Sequence, residues 1–342
     1  MIAVLLTSAG GDSAMAVCEA LRAHFGQDIR LVGVDLKPVI ACVPLLDAFV
    51  QVPPRRSADY VPTLARIASA HQATHVWPLS TEDQEIIAAH KDRELEAYTA
   101  MCSTLDAVRT ANHKIRLYEF ARAHGLPVPD YRIVKDSGTL EDSAGELGYP
   151  ERPVVLKAAT GTGAAGLKIL RAAVSPLEMF LSRVNRDMTL QGALAQLDGV
   201  SPWPEMMLTE YLPGEEFSVD VLSYQGKYCG GVVRRRDDSV FGLATDATVV
   251  DRPDVLQIAR RFVESVGLDY VSNVQLRCAS GGEPKLMEIN PRVPGTIGLS
   301  VGAGVNLPAA ALELSLGRHV SLAEPRYGTR ILRYYGGTVL KP

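Results

Sequence analysis

The run from Lys285 to Arg292, Lys-Leu-Met-Glu-Ile-Asn-Pro-Arg, sets a carboxylate and a carboxamide two residues apart in a short apolar stretch. The period-two alternation of a strand puts Glu288 and Asn290 on one face, with Met287 and Ile289 on the other. Two oxygen donors facing one spot suit Mg2+, which is usually held by one or two carboxylates together with the phosphates of a nucleotide. Arg292 follows at the same parity, past the proline that ends the strand, and a guanidinium there suits phosphate or carboxylate oxygens. Val271–Arg277 alternates likewise, with Asn273, Gln275 and Arg277 on one face. Pairing across the turn Ser280-Gly281-Gly282 makes Gln275 the cross-strand neighbour of Glu288 and a third metal-ligand candidate. Taken alone, residues 285–292 read better as a strand leaving the core with polar residues at its mouth; the partners elsewhere in the chain reverse that preference.

A second group is glycine-rich. Ala159 to Gly166 reads Ala-Thr-Gly-Thr-Gly-Ala-Ala-Gly, flanked by Lys157 and Lys168. Three glycines among small residues free the backbone to fold its N–H groups around an anion. No Lys-Ser/Thr closes the loop and a strand, Leu167–Leu170, follows in place of a helix, so a β-hairpin over phosphates fits better than a P-loop. A plain hairpin turn is the alternative. Arg234-Arg235-Arg236 is the densest basic cluster. A solvated charge run is the usual explanation, but in a strand one or two of these side chains, Arg234 or Arg236, turn inward and could hold an anionic substrate.

These groups need elements to position them. Ile2–Leu6, the turn Thr7–Ser13, the helix Ala14–His24 and the strand Ile29–Asp35 form a βαβ unit. Asp35 lies where a doubly wound fold places a ribose-binding acid, but the turn reads Ser-Ala-Gly-Gly-Asp-Ser and not Gly-x-Gly-x-x-Gly. A structural turn is the better reading, a small-molecule contact the second. Ala48–Val52, a helix Tyr60–His71, His75–Pro78 and a long charged helix Thr81–Tyr98 continue an open parallel sheet. A new unit begins near Asn112 with the amphipathic helix Lys114–His124, then strands Arg132–Val134 and Val154–Ala158 around a helix Leu140–Leu147. Pro176–Leu197 is helical in pattern. Met206–Tyr211, Glu215–Leu222 and Tyr228–Arg234 read as strands, Glu216, Ser218 and Asp220 sharing one face, and Val255–Val266 as an amphipathic helix closed by Gly267.

The composition bounds the function. The 342 residues carry 47% hydrophobic and 22% charged side chains with a net charge of −4. That balance is ordinary for a globular chain and gives no basic footprint for nucleic acid and no polybasic membrane anchor. The amino-terminal run reads as a first strand and not as a signal peptide, and no stretch approaches transmembrane length. The five scattered cysteines lack metal or disulfide spacing and read as reduced thiols of a cytoplasmic protein. No Ser/His/Asp or Cys/His nucleophile is evident, and His71, His75, His90 and His124 have no acid in motif register.

In order and spacing these motifs resemble the ATP-grasp superfamily, in the branch similar to the carbamoyl-phosphate synthetase large subunit and small amino-acid ligases. The resemblance covers nearly the whole length. It implies a mixed α/β and α+β chain: a parallel-sheet pre-ATP-grasp domain over 1–111, and an ATP-grasp domain over 112–342 with a lid at about 127–209 and a carboxyl-terminal antiparallel sheet. ATP would lie between two sheets. The resemblance assigns Lys114 and Lys157 to the phosphates, with Gly161, Thr162, Gly163 and Gly166 in the lid over them. Glu210-Tyr211-Leu212 becomes the adenine hinge and Glu216 the ribose acid. Gln275, Glu288 and Asn290 become the ligands of Mg2+, or of Mn2+, and Lys157, Asn290 and Arg292 the groups at the reacting phosphate. The family often has Asp before its first lysine, where this chain has His113. The stretch after Arg292, with Gly295 and Thr296, resembles the family's loop beside the acceptor substrate.

The implied activity is an ATP-dependent carboxylate–amine ligase joining small molecules, amino acids among them, in an amide or peptide bond through an acyl phosphate with release of ADP and phosphate. An acyl- or carbamoyl-phosphate-forming kinase and a non-catalytic nucleotide-binding module are the rivals. Symmetry base rates and the family imply a homodimer.

Overall fold

A computed structural model describes residues 1–161, 166–181, 186–240 and 243–334. The amino-terminal unit runs β1 (Ile2–Thr7), α1 (Ala14–Phe25), β2 (Ile29–Asp35), β3 (Ala48–Gln51), α2 (Tyr60–Ala70), β4 (His75–Pro78), α3 (Thr81–His90), β5 (Thr99–Ala100) and α4 (Leu105–Asn112). Its five strands are all parallel, in the order β3-β2-β1-β4-β5. Leu5, Leu31 and Val32 are fully buried because helices cover both faces, which is why these strands read as continuous apolar runs.

Next come α5 (Lys114–Ala123), β6 (Tyr131–Val134), α6 (Ser137–Glu146), β7 (Val154–Ala158), β8 (Lys168–Leu170), α7 (Pro176–Leu181), β9 (Asp187–Met188), α8 (Leu190–Leu197) and β10 (Met206–Glu210). These strands form a second sheet, β6-β10-β7-β8-β9, antiparallel except for β8 with β9. The third sheet is antiparallel throughout, β15-β14-β11-β12-β13-β16. It is built from β11 (Glu216–Tyr224), β12 (Lys227–Val240), β13 (Leu243–Val249), β14 (Tyr270–Cys278), β15 (Pro284–Asn290) and β16 (Arg330–Leu332). Helix α9 (Pro253–Val266) backs it, and α10 (Ile297–Gly302) and α11 (Leu307–Ser315) pack on α1. Pro253 starts α9 where a missing N–H costs nothing, and Gly267 at φ +74° ends it in the left-handed conformation.

One core cluster joins the first sheet to the third: Val4, Leu6 and Leu31 share it with Val17, Leu21, Leu222, Val232, Ile297 and Leu307. A second lies between α4, α5, α9 and the inner face of β11 and β14, and a third fills the second sheet against α6 and α8.

Three sequence expectations need correction. The charged helix from Thr81 ends at His90, and residues 91–98 are turns that bury Leu95. The helical pattern over 176–197 is two helices, α7 and α8, with the short strand β9 between them; Thr189 caps α8 by accepting from the Gly192 N–H. Finally, Met287 does not point away from Glu288. Gln275 pairs with Glu288 but Leu276 pairs with Leu286, so Met287 is the extra residue of a β-bulge.

Candidate functional site

The second and third sheets face each other across a cleft of about 1440 Å3, open water at its mouth included. Its floor comes from alternate residues of the third sheet, and alternation explains the selection. Glu216 and Ser218 project from β11, Asn273, Gln275 and Arg277 from β14, and Glu288 and Asn290 from β15. The bulge turns Met287 to the same side, so an apolar side chain stands beside the Glu288 carboxylate. The roof comes from β7 with Val155 and Lys157, and from Ile169 of β8.

Lys157 is 6% exposed, and its Nζ lies 3.4 Å from the Tyr118 hydroxyl. Burial, then the neighbouring Lys114 charge, lowers its pKa to about 8 against the pull of Glu288 and Glu216. Tyr118 donates to the Leu286 and Met287 carbonyls, and burial raises its own pKa. Lys114 starts α5, donates to the Gly161 carbonyl at 3.1 Å and stands 3.6 Å from Glu288. His113, where the family often has Asp, caps the same helix: its Nδ1 accepts from the Arg116 N–H at 3.3 Å. A carboxylate at that place would accept the same bond.

Glu288 Oε1 accepts from Asn290 Nδ2 at 3.1 Å, and Gln275 sits directly across the ladder. The oxygens of Gln275 and Asn290 accept from Arg236 at 3.2 Å and from Arg292 at 3.4 Å. Arg292 is half-buried; burial lowers its pKa, while Glu288, Asp12 and Glu82 pull the other way. Glu216 is held 2.5 Å from Arg236 and 3.7 Å from Arg277. Tyr211 and Leu212 line the cleft beside Glu210, whose carboxylate accepts from the Asp130 N–H at 3.0 Å and pairs with Lys285. Pro294, Gly295 and Thr296 close one end.

The sequence candidates thus meet in one place, with exceptions. Arg234 does not line the cleft. It is fully buried, paired with Asp220 and donating to Ser218 and Thr296: it shares a face of β12 with Arg236, two residues on, but there Asp220 and Thr296, at the start of α10, enclose it. Arg236, the other candidate of the run, does line the cleft. Gly166, at φ +72°, lies outside the cleft wall, and Thr162 and Gly163 lie outside the described residues. Asp35 uses both oxygens within the turn, accepting from the Gly10 and Lys37 N–H groups, both at 2.9 Å. A Cβ on Gly10 would stand 2.8 Å from Ile40 and 2.9 Å from Asp35, so either side chain would have to shift to admit one. His90, read as lacking an acid in register, pairs with Glu94 at 2.8 Å. Arg186 and Tyr118 were missed. Arg186 fell in an apparent helix, and Tyr118 looks like any apolar position of an amphipathic one.

Two facing sheets direct lysines, arginines and an oxygen-donor set into one cleft, an arrangement whose chemistry suits a polyphosphate. The chain is similar to proteins of the ATP-grasp superfamily. A family model described as ATP-grasp in the biosynthetic pathway with Ter operon matches residues 202–335. Carnosine synthase 1 of Homo sapiens is 28% identical over 312 residues, covering 85% of this chain and 36% of that protein. The carbamoyl-phosphate synthase of Methanobrevibacter smithii is 25% identical over 270 residues, 74% of this chain and 66% of that one. An ADP complex of N5-carboxyaminoimidazole ribonucleotide synthetase superposes with a TM-score of 0.71 at 17% identity, over 97% of this chain and 79% of that one. This chain spans little more than a third of the length of the carnosine synthases it matches. Among the described residues no helix is long and apolar enough to cross a membrane.

Proposed function

We propose that this chain is an ATP-dependent carboxylate–amine ligase that forms an amide or peptide bond between small molecules through an acyl phosphate. The observation that carries the reading is the convergence of Lys114, Lys157, Gln275, Glu288, Asn290 and Arg292 on one cleft. The donor set fits a divalent cation shared with phosphates. It offers one carboxylate and two carboxamides, and among the described residues there is no group of three or more His, Cys, Asp or Glu to cage the ion alone. Mg2+, or Mn2+, held there would supply charge neutralisation to the β- and γ-phosphates.

The chain's own groups do the remaining work. Lys157 and Lys114 hold phosphate oxygens, and Met287, Val155, Ile169 and Leu212 supply apolar walls for a base, with Tyr211 and Leu212 as the hinge and Glu216 toward the ribose. Arg292 orients the attacking carboxylate and stabilises charge on the transferred phosphoryl group, so catalysis rests on position and electrostatics. The carboxylate oxygen displaces ADP; an amine then attacks the acyl carbon and expels phosphate. Carnosine synthase, whose name states a synthesis, supports a ligase over a kinase or a silent module.

The test is phosphate release from Mg-ATP across a grid of amino acids and small carboxylates, alone and in pairs, with products weighed by mass spectrometry. The ligase requires release that depends on a pair and yields a product lighter than the pair by one water. Release with a single carboxylate establishes the acyl-phosphate kinase instead.

A further inference from the structure

We propose that Asp220 and Asn273 are positioning residues of the metal site: through them the buried Asp220 carboxylate fixes the Gln275 carboxamide with its oxygen, and not its NH2 group, turned to the cation. The inference rests on the ligase reading, in which Gln275 is a ligand of that cation.

Strand register builds the relay. Asp220 of β11 stands opposite Asn273 of β14, and Asn273 opposite Asn290 of β15. Two residues along each strand, Ser218, Gln275 and Glu288 form the neighbouring row. Residues two apart on a strand share a face, so both rows project to the same side of the sheet. Asp220 is fully buried under that face, while Asn273 and Gln275 line the cleft.

A carboxamide has nearly the same shape at its two ends and opposite chemistry. Its oxygen accepts and its NH2 donates, so a glutamine beside a cation is a ligand in one orientation and a repellent in the other. The direction has to come from a group without a choice. A carboxylate only accepts, and Asp220 is paired with the buried Arg234 guanidinium while Ser300 Oγ donates to its second oxygen at 2.6 Å. Asn273 must then turn its NH2 to Asp220. Its Nδ2 donates to Asp220 at 2.9 Å and to Ser218 Oγ at 2.8 Å, which uses both hydrogens. Asn273 Oδ1 is left to face the next residue of its row, and it accepts from Gln275 Nε2 at 3.3 Å. The oxygen of Gln275 is thereby the end presented to the cleft.

Arg236 supports the same orientation, since it donates to that oxygen at 3.2 Å. A cation on the oxygen competes with Arg236, whereas the bond to Asn273 uses the other end of the amide and persists when the oxygen is taken. Hydrogen bonds of this kind orient a metal ligand and raise its basicity. A network that served only to hold strands together would end among buried groups; this one passes a donor–acceptor direction outward to a residue of the cleft.

The experiment is calorimetric titration of AMP-PNP, a non-hydrolysable analogue of ATP, into the full chain with and without Mg2+. The ratio of the two affinities reads the metal, because a loss of fit that weakens nucleotide binding in both conditions cancels. We expect Asn273→Leu to lower that ratio by about tenfold, the low end of what removing an outer partner of a metal ligand costs. In a Gln275→Glu chain, whose side chain accepts at either end, the same Asn273→Leu change should lower it no further. Asn273→Val makes the same comparison with a smaller side chain if thermal unfolding shows that the leucine is not accommodated. The inference is overturned by an unchanged ratio in the Asn273 variant, or by an equal loss in the two backgrounds, which is the outcome of a role confined to packing. An unaltered chain whose AMP-PNP affinity Mg2+ does not raise removes the metal assignment and the ligase reading together with this one.

Discussion

Glu288 and Lys157 stand on opposite walls of the cleft, and the role proposed for each is open to a separate test. Glu288→Gln keeps the shape and the bond from Asn290 but removes the one carboxylate of the donor set. Turnover should fall by about 100-fold or more, the order lost with one charge-stabilising group in a transition state, while thermal unfolding stays at the wild-type midpoint. Activity near wild type in that variant would sink the metal assignment. Lys157 offers a pH test because burial lowers its pKa to about 8 in the free chain. Phosphates favour its ammonium, so the complex holds the proton more tightly than the free chain does. Binding then takes up a proton above that pKa, and nucleotide affinity falls as pH rises, by up to about tenfold per unit. Calorimetry at alkaline pH in two buffers of different ionisation enthalpy measures the uptake; a buffer-independent heat would refute it. Most of the site was legible at this scale, since Glu288, Asn290, Gln275 and Arg292 follow from parity and a hairpin turn. Arg234 was not, because it shares a face with Arg236 and only the distant Thr296, which comes to lie over it, separates a buried position from a cleft one.

Elements explain what residue types left out. Leu286 and Glu288 have the same parity, yet one is buried in the core and the other faces the cleft. Only an extra residue between them permits that, and the clash between an apolar and an acidic residue at one parity was the available signal for the bulge. Likewise the apparent helix over 176–197 failed because helical spacing of apolar residues does not reveal a strand of two residues in its middle. The strands β11, β12 and β14 are locked together by a buried network in which Asp220 accepts from Arg234, from Asn273 at 2.9 Å and from Ser300 at 2.6 Å. Arg234→Met leaves that carboxylate buried without its cation and should cost about 3–5 kcal/mol. Adding Asp220→Leu should restore part of the loss, and urea unfolding midpoints of the two variants compare them directly. A double variant less stable than the single one would mean that the pair contributes through its hydrogen bonds and not through charge compensation.

At the scale of the whole molecule the three-sheet arrangement and its class were readable in the order of the motifs, while the shared core was not, because its members are far apart in the chain. Mg-ATP bound as proposed would touch two sheets, so it should stabilise the chain by about 2.7 kcal/mol at one hundred times its Kd, raising the midpoint of thermal unfolding. An unmoved midpoint at saturating nucleotide would contradict a cleft that closes on its ligand from both walls. The core that joins the first sheet to the third has a further consequence, for the order of events during synthesis. Helix α1 is complete at Phe25, but its packing partners α10 and α11 begin only at Ile297 and Leu307. At roughly 5–20 residues per second the nascent chain waits on the order of 15–55 s between the two. For that interval the face of α1 that carries Ala16 and Ala20 is on the ribosome without its cover, which makes this surface the natural handhold for a chaperone.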